Sequence, residues 1–243
     1  MFAFQDTRGP VEVAFTDRHG GISGGPYASL NLAARTQDDE AKVEDNLARV
    51  TGAFTGAGEG ASPRVVSMRQ VHGATVAVVK QAPVEAPTAD ALLTTVPGLV
   101  LMVRAADCVP VLLADVAGQT VAAAHAGRPG LVAGVVPAVV ASLRAHGARE
   151  LVAWVGPHVC GACYEVPEEM RAEVSGVVPE TFGETSWGTP ALDIGAGVVA
   201  QLRAAGAEVL RVDRCTREDE NLFSYRRQGP ASGRLAGLVW VRP

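Results

Sequence analysis

A chain of 243 residues can bury a large core, and its 48% hydrophobic residues exclude a disordered polymer. With 19% charged and only 5% aromatic residues, that core is expected to consist of Val, Ala and Leu. A formal charge of −5, with arginines dispersed along the chain, lacks the basic footprint of a nucleic-acid binder, so no DNA or RNA partner is expected.

The N-terminal stretch MFAFQDTRGPVEV has no basic region followed by a long apolar one, so no signal peptide is expected. Strand-like runs follow at 11–15, 64–68, 75–79 and 99–103. Between the first two lie a Gly-rich loop over 19–32, which lacks the Lys and following helix of a P-loop and reads as a turn, and a helix over 39–54 with Val43, Leu47 and Val50 on one face. Runs at 109–114 and 120–124 flank Asp115, Gly118 and Gln119, whose turn chemistry makes the pair a hairpin. A helix over 131–145 is closed by Gly147, and its Pro137 either kinks it or marks its true first turn. Strands at 151–155, 209–212 and 235–241 complete the pattern, with a helix over 194–205 that stops at Gly206. The mixture predicts an α/β fold with a mixed sheet and, without a Pro/Ser-rich linker, a single domain over 1–243. Arg104 and Asp107 interrupt one long apolar stretch and Pro137 another, so no membrane span is expected. Four cysteines without a secretion signal suggest reduced thiols and a cytoplasmic protein.

The hairpin raises the chemical question. Cys108 opens its first strand and His125 closes its second; antiparallel pairing makes these ends neighbours, within reach of each other or of one metal ion. His72, in RQVHG, also follows a strand. A His-Cys-His set supplies three ligands to zinc and leaves a fourth position open, as catalytic sites do; by spacing alone a structural role for each residue stays open as well. His146 beside Gly147 suits a helix C-terminus, whereas His19 and His158 carry no assignment. Cys160 and Cys163 form a C-x-x-C, either redox-active or half a zinc ribbon, but Cys108 and Cys215 are isolated and offer no second close pair. In LFSYRRQGPASGR, Arg226 and Arg227, with Arg234, are either solvated or a bidentate grip for phosphate.

The blocks GGISGGPYASLNL, RQVHG, ADALLTT, RAADCVPVLLAD, AAAHAG, GPHVCGACYEV and LFSYRR, followed by GR, occur in order from Gly20 to Arg234. Together they resemble the signature of the laccase-domain family, described first as polyphenol oxidoreductases and later as purine nucleoside phosphorylases and peptidoglycan editing factors. The resemblance implies a layered α/β domain with mixed β-sheets and outer helices, similar to cysteine-hydrolase-like toxin domains. It implies zinc held by His72, Cys108 and His125, and phosphorolysis of adenosine, inosine and methylthioadenosine with adenosine deamination. Two positions depart from the pattern: relatives usually read His-Ala-Gly-Trp-Arg-Gly where this chain has Arg128 and Pro129 after Gly127, and Cys160 stands where relatives often have glycine.

The leading expectation is therefore a zinc-dependent phosphorylase acting on a small-molecule nucleoside and phosphate. His72, Cys108 and His125 are its metal and catalytic residues, Arg226 and Arg227 its phosphate ligands, and Asp107 or Glu165 its general acid. A second reading makes Cys108 a nucleophile activated by His125 in an amidase that edits peptidoglycan precursors. A copper polyphenol oxidase and a non-enzymatic, zinc-stabilised binding protein complete the alternatives.

Overall fold

The computed structural model describes residues 1–33, 36–57 and 64–243. Its strands are β1 (Phe2–Arg8), β2 (Val11–Thr16), β3 (Arg64–Val66), β4 (Val76–Val78), β5 (Ala91–Thr94), β6 (Leu99–Ala105), β7 (Val109–Asp115), β8 (Val121–Ala126), β9 (Leu151–Val155), β10 (Phe182–Glu184), β11 (Pro190–Leu192), β12 (Glu208–Arg211) and β13 (Leu235–Val241). The helices are α1 (Glu40–Thr55), α2 (Arg128–Val132), α3 (Val135–Ala145), α4 (Glu168–Val177), α5 (Ile194–Ala204) and α6 (Tyr225–Gln228). Every strand expected from apolar runs is present, with β3 and β4 trimmed. Among these residues no helix is long and apolar enough to cross a membrane.

Two mixed sheets carry the fold, ordered β1-β2-β13-β6-β3 and β12-β9-β7-β8-β5-β4. The pairs β3·β6, β4·β5 and β9·β12 are parallel and the others antiparallel. Alternation along the central strands explains why they read as apolar on both sides. On β7, Leu112 and Ala114 face the other sheet, where they meet Phe15, Leu101 and Val239, while Val111 and Leu113 pack on Val135, Val139 and Leu143 of α3. The outer face of the five-stranded sheet is covered by Val50 and Phe54 of α1 against Leu238 and Trp240. The result is four layers: helix, sheet, sheet, helices.

Local chemistry sets the helix boundaries. Asp39 caps α1 by accepting from the Ala41 N–H, and Asp193 caps α5 by accepting from the Ala196 N–H. The expected helix over 131–145 is divided at Gly134, whose φ of +84° starts a new helix, so Pro137 stands in the first turn of α3. Gly206, at φ +75°, follows α5 as expected. The Gly-rich loop remains without strand or α-helix; at Gly21 a Cβ would collide with Ser29 O and Asn46 Oδ1. Strands β1, β5, β10 and β11 and helix α4 were not anticipated. β1 alternates half-buried with exposed residues and owes its place to pairing with β2, and α4 buries only Val174 fully, which leaves a weak apolar signal.

Trp154 ties the sheets together. Its side chain on β9 is fully buried in the inter-sheet core, and its Nε1–H donates to Asp6 Oδ2 on β1 at 2.9 Å. Burial pushes the Asp6 carboxyl up, but Trp154, Arg8 and the Thr7 N–H outweigh it and hold it below the usual value of 3.8. A carboxyl depressed on folding contributes stability above its unfolded value, and this is lost as pH falls through the folded value. Urea unfolding of Asp6→Asn should therefore show a smaller loss of stability than the parent chain between roughly pH 5 and pH 2.

Candidate functional site

The site lies where the chain leaves one sheet for the other. β6 belongs to the five-stranded sheet and β7 to the six-stranded one, and the corner between them is Ala106, Asp107 and Cys108. Asp107 makes this turn with a φ of +91°. Pro110 pairs with His125 and Val109 with Ala126, so the hairpin register sets Cys108 beside the end of β8. His125 shares strand parity with Val121 and Ala123 and points to the inter-sheet side. His72 joins them from the loop after β3: its Nε2 is 3.7 Å from Cys108 Sγ, and its ring meets that of His125 edge to face at 4.7 Å between centroids. One ligand atom from each of the three residues lies within 4.8 Å of the others. Gly127 leaves them room, since a Cβ there would stand 2.5 Å from His72 Cδ2 and 3.1 Å from Cys108 Sγ.

Asp90, fully buried before β5, organises the trio. Its Oδ1 accepts from His125 Nδ1 and the His72 N–H, both at 2.9 Å, and its Oδ2 accepts from the Gly73 and Val71 N–H groups at 2.7 and 3.2 Å. His72, held in the left-handed region at φ +60°, is thereby fixed through its own backbone. The bond to Nδ1 leaves His125 Nε2 free to face the thiol or an ion. Burial pushes the Asp90 carboxyl up, but the bonds from His125, Gly73 and Val71 outweigh it and lower it. Burial likewise pushes the Cys108 thiol up, yet His125 and His72 bring it down to about 6. His125 is pushed down by burial but held up at about 9 by Asp90 and Cys108. The two imidazoles thus favour the thiolate, the form that ligates metals and attacks carbon.

The trio forms the floor of a cleft of about 740 Å³ whose walls carry Arg104, Arg128, Arg226 and Arg234, together with Tyr164 and Tyr225. Arg226 stacks over the Tyr164 ring at 4.7 Å and Arg234 over Tyr225 at 6.0 Å. Arg104 is fixed at its backbone by Gln70, which accepts from its N–H and donates to its carbonyl. Arg128 supplies a further cation to the wall.

Other expected residues go elsewhere. Arg227, expected beside Arg226 as a phosphate ligand, is turned out of this cleft: its guanidinium donates to the carbonyls of Thr216, Arg217, Asp219 and Leu222. Neighbours on a helix diverge by about 100°, and Arg226 alone of the pair lines the main cleft. Of the two candidate acids, Asp107 accepts from Thr216 Oγ1 and the Arg226 N–H, both at 2.6 Å, and Glu165 accepts from Trp187 Nε1 outside the cleft. His146 bonds the Ser142 carbonyl at the end of α3, His158 is buried against the Gly156 carbonyl, and His19 meets Asn221. Asp90, Gln70, Arg104 and the two tyrosines were given no site role by sequence reasoning; all five lie within the quoted blocks, the one signal that pointed at them.

The profile of the family described as "Multi-copper polyphenol oxidoreductase laccase" matches residues 12–242. A protein of Streptomyces coelicolor named purine nucleoside phosphorylase is 51% identical, over 99% of this chain and 100% of its own. A purine nucleoside phosphorylase of Streptomyces griseus is 52% identical, over 96% of this chain and 95% of its own. The crystal structure of a Neisseria meningitidis protein superposes with a TM-score of 0.86 at 31% identity, covering 100% of this chain and 99% of that one. The chain belongs to this laccase-domain family. Within it, the family description speaks of copper oxidation and the named relatives of phosphorolysis, so the chemistry has to be argued from the cleft.

Asp90→Asn should cost about 3–5 kcal/mol, because it removes the charge from a buried pair and turns an NH₂ toward backbone donors. Urea unfolding near neutral pH measures that loss; a variant as stable as the parent would deny Asp90 its organising role.

Proposed function

We propose that this chain is a zinc-dependent purine nucleoside phosphorylase, with adenosine deamination at the same site. The observation that carries this reading is one cleft with a His-Cys-His donor set at its floor and several arginines on its walls. The strong identity to chains named purine nucleoside phosphorylase supports it. His72, Cys108 and His125 suit zinc: the 3.7 Å between Nε2 and Sγ is what two ligands of one ion span, and His125 has its other nitrogen anchored on a carboxylate. Bound there, zinc would supply a Lewis acid that polarises the substrate. Copper oxidation is the weaker alternative, because one such trio does not furnish the several centres of a multicopper oxidase.

Phosphorolysis breaks the bond from the ribose anomeric carbon to the purine nitrogen as a phosphate oxygen bonds to that carbon. The electron pair leaves with the base, which takes up a proton. Phosphate carries its charge into the site, and Arg226, with its guanidinium plane held over Tyr164, is the residue assigned to hold it. Arg104, Arg128 and Arg234 add positive potential that retains the anion beside a ribose acquiring positive character. Tyr164 and Tyr225 give the purine flat surfaces. We take residues 1–243 as one domain, since the inter-sheet core draws on side chains from Val11 to Val241. Four free thiols favour a cytoplasmic location.

A second reading rests on a specific observation. Cys108, His125 and Asp90 also form the thiolate, imidazole and carboxylate of a cysteine hydrolase, which fits an amidase acting on peptidoglycan precursors. Metal content that falls in Cys108→Ser separates the two, because a sulfur that ligates zinc is occupied.

Incubation with adenosine and phosphate should yield adenine and ribose 1-phosphate, and omission of phosphate should stop it. Cys108→Ser should abolish turnover and any inosine formed, while Arg226→Ala should raise the KM for phosphate by about tenfold or more with the fold retained. Adenosine left intact by the zinc-loaded chain would overturn the reading.

A further inference from the structure

We propose that Cys160, Cys163, Cys215 and Glu218 form a second metal site, which takes a thiophilic divalent ion of the zinc class and pins together two loops of the cleft wall. One ligand atom from each of the four residues lies within 4.8 Å of the others. They come from two segments 55 residues apart, each contributing donors three positions apart, as C-x-x-C and C-x-x-E. Both segments make tight turns: the Cys163 and Tyr164 N–H groups donate to Cys160 O at 3.0 Å, and the Asp219 N–H to Cys215 O at 2.9 Å. Cys215, isolated in the sequence, thus completes in space the cluster that the C-x-x-C lacked.

The chemistry of the cluster selects its ligand. Three sulfurs favour zinc-like or other soft ions over magnesium or calcium, which require oxygen. Four protein donors fill a tetrahedral shell, the arrangement of structural sites, whereas the His72, Cys108 and His125 trio leaves a position open. The Cys160 N–H points at Cys215 Sγ at 3.4 Å, an amide bond of the kind that supports a ligating sulfur. Cys163 is buried, and its sulfur lies 3.4 Å from Glu218 Oε1. Three thiolates and a carboxylate exceed the charge of a divalent ion; Arg217, Arg226 and Arg227 line the adjoining cavity and offset the excess.

The location gives the ion its purpose. The segment from His158 to Tyr164 and the one from Arg214 to Arg227 both converge on Asp107, next to Cys108. Asp107 accepts through its carbonyl from the Val159 N–H, and through its carboxylate from Thr216 and Arg226. Clamping the two segments holds Arg226 over Tyr164 in the wall of the main cleft. The inference stands independently of the reaction proposed above.

The test uses the full-length chain carrying His72→Ala and Cys108→Ser, so that only the second cluster can bind through sulfur. After reduction and chelation it is titrated with cobalt(II). The expected result is uptake of about one ion per chain, with the visible bands of tetrahedral cobalt and strong thiolate charge transfer. Zinc(II) should then displace the cobalt and raise the melting temperature. Adding Cys163→Ser and Cys215→Ser should abolish uptake, with folding followed by circular dichroism. Glu218→Gln, on an exposed position that folding tolerates, should weaken cobalt binding by about tenfold while thiolate charge transfer persists. Absence of stoichiometric binding, a spectrum without thiolate bands, or uptake indifferent to the cysteine pair would overturn the proposal.

Discussion

Four hydrogen bonds converge on the carboxylate of Asp90, and the geometry of the main cleft depends on them. A buried carboxylate without partners would be expensive, and here each oxygen is answered twice. Three of the donors are consecutive backbone N–H groups, so the charge bends the Val71 to Gly73 segment around itself and places His72 in a backbone conformation that a non-glycine residue seldom adopts. The fourth donor is the His125 ring. One side chain thereby fixes both imidazoles, and the hairpin register brings Cys108 to them.

The sheets and the cleft are linked through the same corner. Because β6 and β7 lie in different sheets, the turn from Ala106 to Cys108 must bridge the layers, and its residues line the cleft. Asp107 uses that turn to capture the later segments that carry Thr216 and Arg226. Its carboxylate is a structural acceptor, which explains how an arginine distant in sequence comes to line a cleft built on a hairpin. The adjacent Arg227 is drawn into a cage of four carbonyls on the other side, where it braces the loop.

Among the described residues, two clusters of side chains that could hold a metal ion are tied to this corner, one through Cys108 and the other through the loops bound to Asp107. One is open, with two histidines and a thiol at the floor of a cleft; the other is rich in sulfur and closed by its own loops. Their donor chemistry differs accordingly: three donors leave a position open on an ion, whereas four can close a tetrahedral shell. The arginine-rich wall between them gives the acidic chain a local positive surface suited to a small anion.

Much of this was legible in the sequence. The hairpin and its facing ends, the strands apolar on both sides, the stop at Gly206 and the meeting of Cys108 with His125 follow from local rules, because period-two alternation, turn residues and antiparallel pairing act over short distances. His72 joined them as another residue at a strand end, and the resemblance in ordered blocks turned that grouping into an expectation. Only the tertiary structure decided that Asp90 holds both histidines, that Arg226 and Arg227 part company, and that Cys215 joins Cys160 and Cys163. Each of these depends on where chain segments tens of residues apart cross between two packed sheets and on which way a side chain then points. Local sequence does not encode such directions; the packing of the layers fixes them.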